Sequence, residues 1–308
     1  MMPDSEPGRR APAADGGNAP GHRIIVGVDG SEHARDAASW AGAEAVRRHA
    51  SLTIAHGLGL TSTYVPRLPE AMAEERRQDA QAMLDEELTL LSSIYPGLGV
   101  GTASSDDPPA PFLKGLSGEA ELLVIGTRGH GGFAGMLVGS VSRKLAAHAH
   151  CPLIVVRTRP SLEVRNEVVL GVGPKPSPAS VRFAFETAAA HDATLTVVRS
   201  WWPGAMRGGF EAPGGGMSVD QYDLFPASAL AEVEDTLGLF RMQYPRVQVH
   251  IVIPEGNTVP ALVETSRDTR LLVVGAHRRR GPFSVGAGYV VDGVIAHCAT
   301  PVAVVPAV

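Results

Sequence analysis

The residues best suited to chemistry lie in one glycine-rich stretch, residues 126–142, which reads GTRGHGGFAGMLVGSVS. An apolar run that predicts a buried parallel strand precedes it, and a helix-compatible segment follows it. A strand, a glycine-rich loop and a helix can cradle a phosphate, because glycine lets the backbone approach the anion and exposed N–H groups point at it. We expect Ser140 to cap the helix and to offer a hydroxyl there. A flexible connector is the alternative interpretation.

The spacing within this stretch resembles the nucleotide-binding signature of universal stress proteins, which is G-x2-G-x9-G-[S/T]. Gly126, Gly129 and Gly139 supply the glycines, and Ser140 supplies the hydroxyl residue. The Gly-Lys-[Ser/Thr] ending of a P-loop NTPase is missing, so that class is disfavoured. The resemblance implies an adenine nucleotide as the ligand, and specifically ATP with Mg²⁺.

Further candidate ligand residues lie in the loop and at the start of the helix. Arg128 and His130 flank Gly129 and would help to neutralise phosphates, although a surface arginine in a loop is equally ordinary. Val141 and Ser142 continue the helix start, where Ser142 adds a second hydroxyl. The loop contains no lysine, so charge stabilisation would depend on backbone N–H groups, the helix dipole and Mg²⁺.

A second group of candidates follows the first two predicted strands. Asp29, directly after Val28, matches the aspartate that lines the nucleotide pocket in the family that the chain resembles. Because Asp29 precedes Gly30, it is also an ordinary turn former. The resemblance implies that adenine meets the backbone at the end of strand two, around Ala55 and His56. Val28, Asp29 and Ala55 are therefore candidate nucleotide-binding residues.

The elements that must position these residues alternate between strand and helix. We predict strands at 23–28, 52–55, 98–103, 122–125 and 153–156, with helices between them. This alternation predicts an α/β protein with a parallel sheet. The resemblance implies an open, Rossmann-like sheet of order 3-2-1-4-5 with helices on both faces, which brings the loops after strands one and four together. Residues 1–22 carry few apolar side chains and are expected to form a disordered tail.

The rest of the chain repeats this pattern. The run LLVVG at 271–275 matches LLVIG at 122–126 with an offset of 275 − 126 = 149 residues. We therefore predict two tandem domains, residues 23–160 and 161–308. The main peculiarity of the second copy is the stretch 201–226, rich in glycine and proline, which is expected to form a long loop.

The second copy lacks residues of the nucleotide motif. Three positions carry other residue types: Gly129 is replaced by Arg278, Ser140 by Tyr289 and Asp29 by Gly173. A bulky residue at a position that needs positive φ strains the loop. We therefore expect a degenerate partner domain with a structural role, although the arginines at 278–280 leave a different anionic ligand open.

Each copy ends in an apolar strand, residues 153–156 and 302–305. An exposed edge of this type favours pairing, and the resemblance implies an intramolecular pseudodimer of the two domains. A homodimer of whole chains remains open. His148, His150 and Cys151 lack a second pair of metal ligands, so we interpret them as packing residues.

Composition excludes several functional classes. The chain has 308 residues, a net charge of −5 and no extended basic block, which disfavours nucleic acid as the main partner. Its two cysteines do not suit a disulfide-stapled secreted scaffold, and no apolar run suits a membrane span or a signal peptide. We expect a cytoplasmic protein.

The predicted function is nucleotide sensing in a stress response, with the site in the first domain. Two alternatives remain open. One is a slow ATPase of the same fold, for which Asp29 is the only candidate base. The other is an interaction scaffold that binds no nucleotide.

Overall fold

The computed structural model describes residues 22–61, 68–127, 138–157, 164–201, 219–276 and 287–307, without the side chains of residues 219–225. The chain divides into two compact units, residues 1–157 and 158–308. Of the expected N-terminal tail, residues 1–21 lie outside the described residues. His22 is described, and its carbonyl oxygen accepts a hydrogen bond of 2.9 Å from Ser51 N.

Among its described residues, the first unit has a five-stranded parallel sheet, four α-helices and a 3₁₀ turn at Ser117–Glu119. Its strands are β1 (Arg23–Gly27), β2 (Ser51–Gly57), β3 (Val100–Ser105), β4 (Leu122–Gly126) and β5 (Leu153–Val156). Its helices are α1 (Glu32–Arg48), α2 (Glu70–Ile94), α3 (Pro109–Leu116) and α4 (Ser140–His148). The strands lie in the order β3-β2-β1-β4-β5, and every described pairing between them is parallel.

The helices cover both faces of this sheet. α1 contacts α2, and α3 contacts α4. A Cβ atom at Gly27 would lie 2.7 Å from Leu113 of α3, whereas one at Gly126 would lie 2.8 Å from the carbonyl oxygen of His33 in α1. Gly27 pairs with Ile125, so positions 27 and 126 face opposite sides of the sheet. The nearly continuous apolar strands β1 and β4 are buried between these two layers.

The second unit has the same architecture. Its strands are β6 (Arg165–Gly171), β7 (Thr194–Val198), β8 (Val249–Val252), β9 (Thr269–Ala276) and β10 (Val302–Pro306), in the order β8-β7-β6-β9-β10. Its helices are α5 (Pro178–Ala190), α6 (Val219–Gln243), α7 (Thr258–Thr265) and α8 (Tyr289–His297). The predicted α/β fold class is therefore confirmed. No helix among the described residues combines the length and apolar character needed to cross a membrane.

The prediction of a loop at residues 201–226 is wrong for the last part of that stretch. Residues 202–218 lie outside the described residues, but α6 begins at Val219 and includes Pro226. Glycine and proline disfavour a helix, which is why this stretch is expected to form a loop. The helix is instead fixed by packing, because Ala229, Val233 and Leu237 form a buried stripe along it.

A charged network lies at the amino ends of the strands in the first unit. Arg48, near the end of α1, contacts Glu44 and Glu121 at 2.6 Å each. Glu121 precedes β4 and also lies 3.0 Å from His22, which precedes β1. The network therefore connects α1 to the starts of two central strands. The network lies at the amino ends of the strands, whereas the candidate site lies at their carboxyl ends.

Candidate functional site

The carboxyl ends of β1 and β4 lie side by side, with Gly27 paired to Ile125. From this point β1 leads into α1 on one face, whereas β4 leads through residues 127–139 to α4 on the other face. Two neighbouring strands whose connections leave toward opposite faces open a crevice between them, and ligands of open α/β sheets bind there.

The turn after β1 forms one wall of this crevice. Val28 N donates to Ala55 O at 2.9 Å, which continues the pairing with β2. Asp29 is half-buried, and its Oδ1 accepts a hydrogen bond of 3.1 Å from Ser31 N. Gly30 has a φ of +79°, a conformation that favours glycine, and Ser31 caps α1. Val28 and Asp29 therefore lie directly after β1, and one carboxylate oxygen of Asp29 contributes to the turn.

Gly126 ends β4 on the opposite wall. A Cβ atom there would lie 2.8 Å from His33 O and 2.9 Å from His33 C, both backbone atoms of the first turn of α1. The close approach of α1 to the sheet therefore requires glycine at this position. This packing role is independent of any ligand.

The start of α4 differs from the expected capping arrangement. Gly139 is the N-cap residue and Ser140 is the first residue of the helix, so the prediction that Ser140 is the cap is wrong. Gly139 N donates to Thr127 O at 2.9 Å, which fixes the helix entry directly behind β4. No described side chain caps this helix start. The first N–H groups of α4 therefore have no side-chain partner among the described residues, and Ser140 is exposed.

Ser142 is not an open hydroxyl of the site. It is buried, and its Oγ lies 3.2 Å from Gly126 O and 3.3 Å from Thr127 O, to which it donates. These contacts attach the first turn of α4 to the end of β4. Val141 beside it is half-buried. Ser142 thus positions the helix start. The sequence alone cannot distinguish this structural role from ligand binding.

Ala55 pairs with Gly27, the last residue of β1. β2 continues to Gly57 because it pairs with β3 as far as Ser105, so Ala55 is fully buried within a central strand. The next residue, His56, contacts the turn after β1, because its Nδ1 lies 2.7 Å from Val28 O. The sequence signal for His56 was only its position near the strand end.

Thr127 was missed by the sequence analysis. Its side chain is 1% exposed, and its Oγ1 has no hydrogen-bond partner among the described residues. An unpaired buried hydroxyl costs about 1–3 kcal/mol, so this position favours a ligand or water that supplies a partner. The corresponding residue of the second unit is Ala276, 149 positions later. Arg128, Gly129 and His130, which follow Thr127, lie outside the described residues.

The corresponding crevice of the second unit is built differently. Gly173 replaces the aspartate of the first turn. Gly288, the N-cap of α8, has a φ of +109°, whereas Gly139, the N-cap of α4, has a φ of −71°. The backbone therefore enters these two helices from different directions. Tyr289 follows Gly288 and is 81% exposed. Residues 277–286 lie outside the described residues.

The cysteine that was considered as a metal ligand is buried. Burial raises the pKa of Cys151 to about 12, so its thiol stays protonated at neutral pH. Among the described residues there is no group of three or more His, Cys, Asp or Glu side chains that could hold a metal ion.

Comparisons with known sequences agree with this two-unit architecture. The sequence model of the universal stress protein family matches residues 21–157 and again residues 165–306. Universal stress protein Rv2623 of Mycobacterium tuberculosis (strain ATCC 25618 / H37Rv) is 30% identical over 301 residues, which cover 91% of this chain and 95% of that protein. Universal stress protein Rv2005c of the same strain is 28% identical over 292 residues, covering 92% and 96% respectively.

A solved structure is similar in fold. The crystal structure of a universal stress protein from Archaeoglobus fulgidus DSM 4304 has a TM-score of 0.67 and 15% sequence identity, and the match covers 93% of this chain and 98% of that chain.

Proposed function

The chain belongs to the universal stress protein family, and on this premise we propose that its first unit binds an adenine nucleotide, specifically ATP, to serve a regulatory role in a stress response. The observation that carries this proposal is the start of α4. Its N–H groups are uncapped by any described side chain, and the helix begins at Ser140 behind the switch-point crevice. Such a helix start binds phosphate through its amides and its dipole.

Several side chains would contribute to the phosphate site. Ser140 is exposed at the helix start, and Thr127 offers a hydroxyl that lacks a partner among the described residues. We propose that these two hydroxyls, with Gly129, Arg128 and His130 from the loop, surround the phosphate chain.

Mg²⁺ would be held mainly by the nucleotide. The described residues contain no cluster of three metal ligands, and Mg²⁺ commonly keeps several waters while binding phosphate oxygens and one or two carboxylates. Asp29, half-buried beside the crevice, is the carboxylate that fits this role. Its side chain would contact Mg²⁺ directly or through a water molecule.

We propose that the second unit binds no ATP. Gly173 supplies no carboxylate, Ala276 supplies no hydroxyl, and Tyr289 places a ring where Ser140 has a hydroxyl. The positive φ of Gly288 also changes the entry into α8. The second unit would then act as a structural partner in an intramolecular pseudodimer, and the whole chain would act in the cytoplasm.

Calorimetry on the full chain with ATP and Mg²⁺ tests the proposal. We expect one ATP per chain, at least tenfold weaker binding by Ser140→Tyr, and unchanged binding by the matched control Tyr289→Ser. Both substitutions exchange exposed residues at equivalent helix starts, so folding should be unaffected. Two bound ATP molecules, no binding by the wild type, or full affinity in Ser140→Tyr would contradict the proposal.

Turnover separates regulatory binding from the slow ATPase. We expect ATP to remain intact during prolonged incubation with the wild-type protein. Phosphate release that disappears in Asp29→Ala would instead favour the enzyme, because Asp29 is the one carboxylate that the described geometry brings to the crevice wall from the turn after β1.

A further inference from the structure

The helices α1 and α2 lie side by side in the first unit and touch at two places. At one place the side chain of Met83 lies against the turn before α1, where a Cβ atom at Gly30 would lie 3.3 Å from its sulfur. At the other, the hydroxyl of Tyr95, which follows α2, donates to Ser39 O at 2.9 Å. Between these contacts the two helices leave an open groove of about 540 Å³. Small-molecule sites commonly occupy about 300–1,000 Å³.

The lining of this groove is acidic. Of the described residues that line it, those from α2 are three carboxylates, two hydroxyls and one apolar side chain: Asp85, Glu86, Glu87, Thr89, Leu90 and Ser93. Arg35 of α1 lines the opposite side. Three carboxylates and one guanidinium give this lining a net charge of −2 at neutral pH. A ligand of the groove should therefore be cationic.

Glu87 is the buried carboxylate of the groove. It is 8% exposed, whereas Asp85 and Glu86 are exposed. Within the part of the chain that the structure describes, no residue forms a hydrogen bond or an ion pair with Glu87. Burial raises the pKa of Glu87, and the positive charge of Arg35 offsets this effect only in part. Buried carboxylates are normally paired or hydrogen-bonded, so Glu87 favours a ligand that supplies donors.

The two hydroxyls of the groove also act as acceptors. Thr89 Oγ1 donates to Asp85 O at 2.8 Å, and Ser93 Oγ donates to Leu90 O at 2.7 Å. A hydroxyl has one proton and two lone pairs, so each of these oxygens has only lone pairs left for a ligand. Ionised carboxylates are acceptors as well. The polar side chains that α2 contributes to the groove therefore offer acceptors and no donor, which favours a ligand rich in N–H groups.

The equivalent helix of the second unit provides an internal comparison. α2 and α6 are both 25 residues long and are related by the 149-residue offset. This offset places Thr236 at the position of Glu87, and Thr236 Oγ1 donates to Glu232 O at 2.9 Å. Met242 likewise takes the place of Ser93. The second unit therefore lacks the buried carboxylate and this groove hydroxyl.

We propose that the groove between α1 and α2 binds an aliphatic diamine, with one ammonium group held by Glu87 and the methylene chain lying against Leu90. A diamine carries two positive charges at neutral pH, which balance the charge of the lining. Each ammonium group has three donors and no acceptor. Leu90 is 44% exposed and supplies the apolar contact.

Two other cations match the groove less well. Among the described residues there is no group of three or more side chains that could hold a metal ion. A single lysine side chain of another protein would balance only half of the charge of the lining. The inference does not rest on the proposed nucleotide site, because none of the groove residues belongs to that site.

Calorimetry on the full chain with 1,4-diaminobutane, without nucleotide or Mg²⁺, tests this site. At about pH 7.5 the primary amines are protonated, as lysine is. We expect one diamine per chain. The control ligand is the same diamine with three methyl groups on each nitrogen and permanent charges, which keeps both positive charges but has no N–H group. We expect it to bind at least about tenfold more weakly, because it cannot donate to Glu87.

Substitutions locate the site. Glu87→Gln keeps the shape of the side chain and removes its charge, so the affinity for the diamine should fall about tenfold. Because this change also removes a buried unpaired charge, the thermal midpoint without ligand should not fall below that of the wild type. Arg35→Gln removes a repulsive charge and should bind about threefold more tightly. The matched control Asp235→Asn, at an exposed position of α6, should keep the wild-type affinity.

Four results would overturn the inference. They are no diamine binding by the wild type, equal binding of the methylated diamine, full affinity in Glu87→Gln, and tighter binding of the peptide acetyl-Gly-Lys-Gly-amide than of the diamine. The last result would assign the groove to a lysine of another protein. None of these results would affect the ATP titration of the wild type, so the two proposals fail separately.

Discussion

Replacing Gly126 by alanine should destabilise the first unit even in the absence of nucleotide. The added Cβ would lie 2.8 Å from His33 O and 2.9 Å from His33 C. Ordinary contacts begin at 3.4 Å, so the first turn of α1 would have to move by about 3.4 − 2.8 = 0.6 Å. Both obstructing atoms belong to the backbone, and Ser31 caps the same turn. Rotating a side chain therefore cannot relieve these two clashes.

The expected cost is about 2 kcal/mol in the free energy of unfolding, since overpacking a core typically costs 1–3 kcal/mol. Gly275→Ala is the matched control at the equivalent position of β9. Its Cβ would lie 3.3 Å from Ser180 Oγ and 3.6 Å from Ser180 Cβ, which are side-chain atoms. We expect that control to cost less than about 1 kcal/mol.

Urea unfolding followed by tryptophan fluorescence measures both variants. Trp40 in α1 is the one tryptophan of residues 1–157, so replacing Trp201 and Trp202 by phenylalanine leaves a probe of the first unit. At a slope of about 2 kcal/mol per molar urea, the midpoint for Gly126→Ala should fall by about 1 M. The reasoning is refuted if that midpoint equals the wild-type value. It is also refuted if Gly275→Ala lowers the midpoint of the second unit by as much, measured with the native tryptophans restored.

Three further predictions concern charges and the buried thiol. Arg48→Met should cost about 2 kcal/mol in chemical denaturation because it removes the 2.6 Å partner of the buried Glu44, which keeps Arg47 at 3.3 Å; an unchanged midpoint would contradict this. Burial works to raise the pKa of Glu121, but hydrogen bonds from His22 and Arg48 outweigh it and lower the pKa. The ionised Glu121 therefore stabilises the folded state above about pH 4.5, and this contribution is lost as the pH falls. Between about pH 5 and 3, Glu121→Gln should lose less free energy of unfolding than the wild type. Burial raises the pKa of Cys151 from 9.0 to about 12, so iodoacetamide at pH 8 should label it only after unfolding, and stability should decline as pH rises from about 9 toward 12.

Local sequence patterns were sufficient for the fold class. Apolar runs such as residues 122–125 predict buried strands wherever they occur, and the 149-residue offset identifies the second unit without any knowledge of contacts. The prediction of a loop failed for residues 219–226, because these residues belong to α6, which packs through Ala229, Val233 and Leu237.

The sequence by itself determined which segments form strands and helices, that they occur twice, and that a glycine-rich loop follows β4, because these features depend on neighbours along the chain. Only the tertiary structure decided what individual residues do. Gly126 is required by the backbone of His33, Ser142 donates to carbonyls at the end of β4, and His56 reaches Val28 across two strands. Each of these contacts joins residues at least 15 positions apart, and their geometry is set by how strands and helices pack rather than by any local pattern.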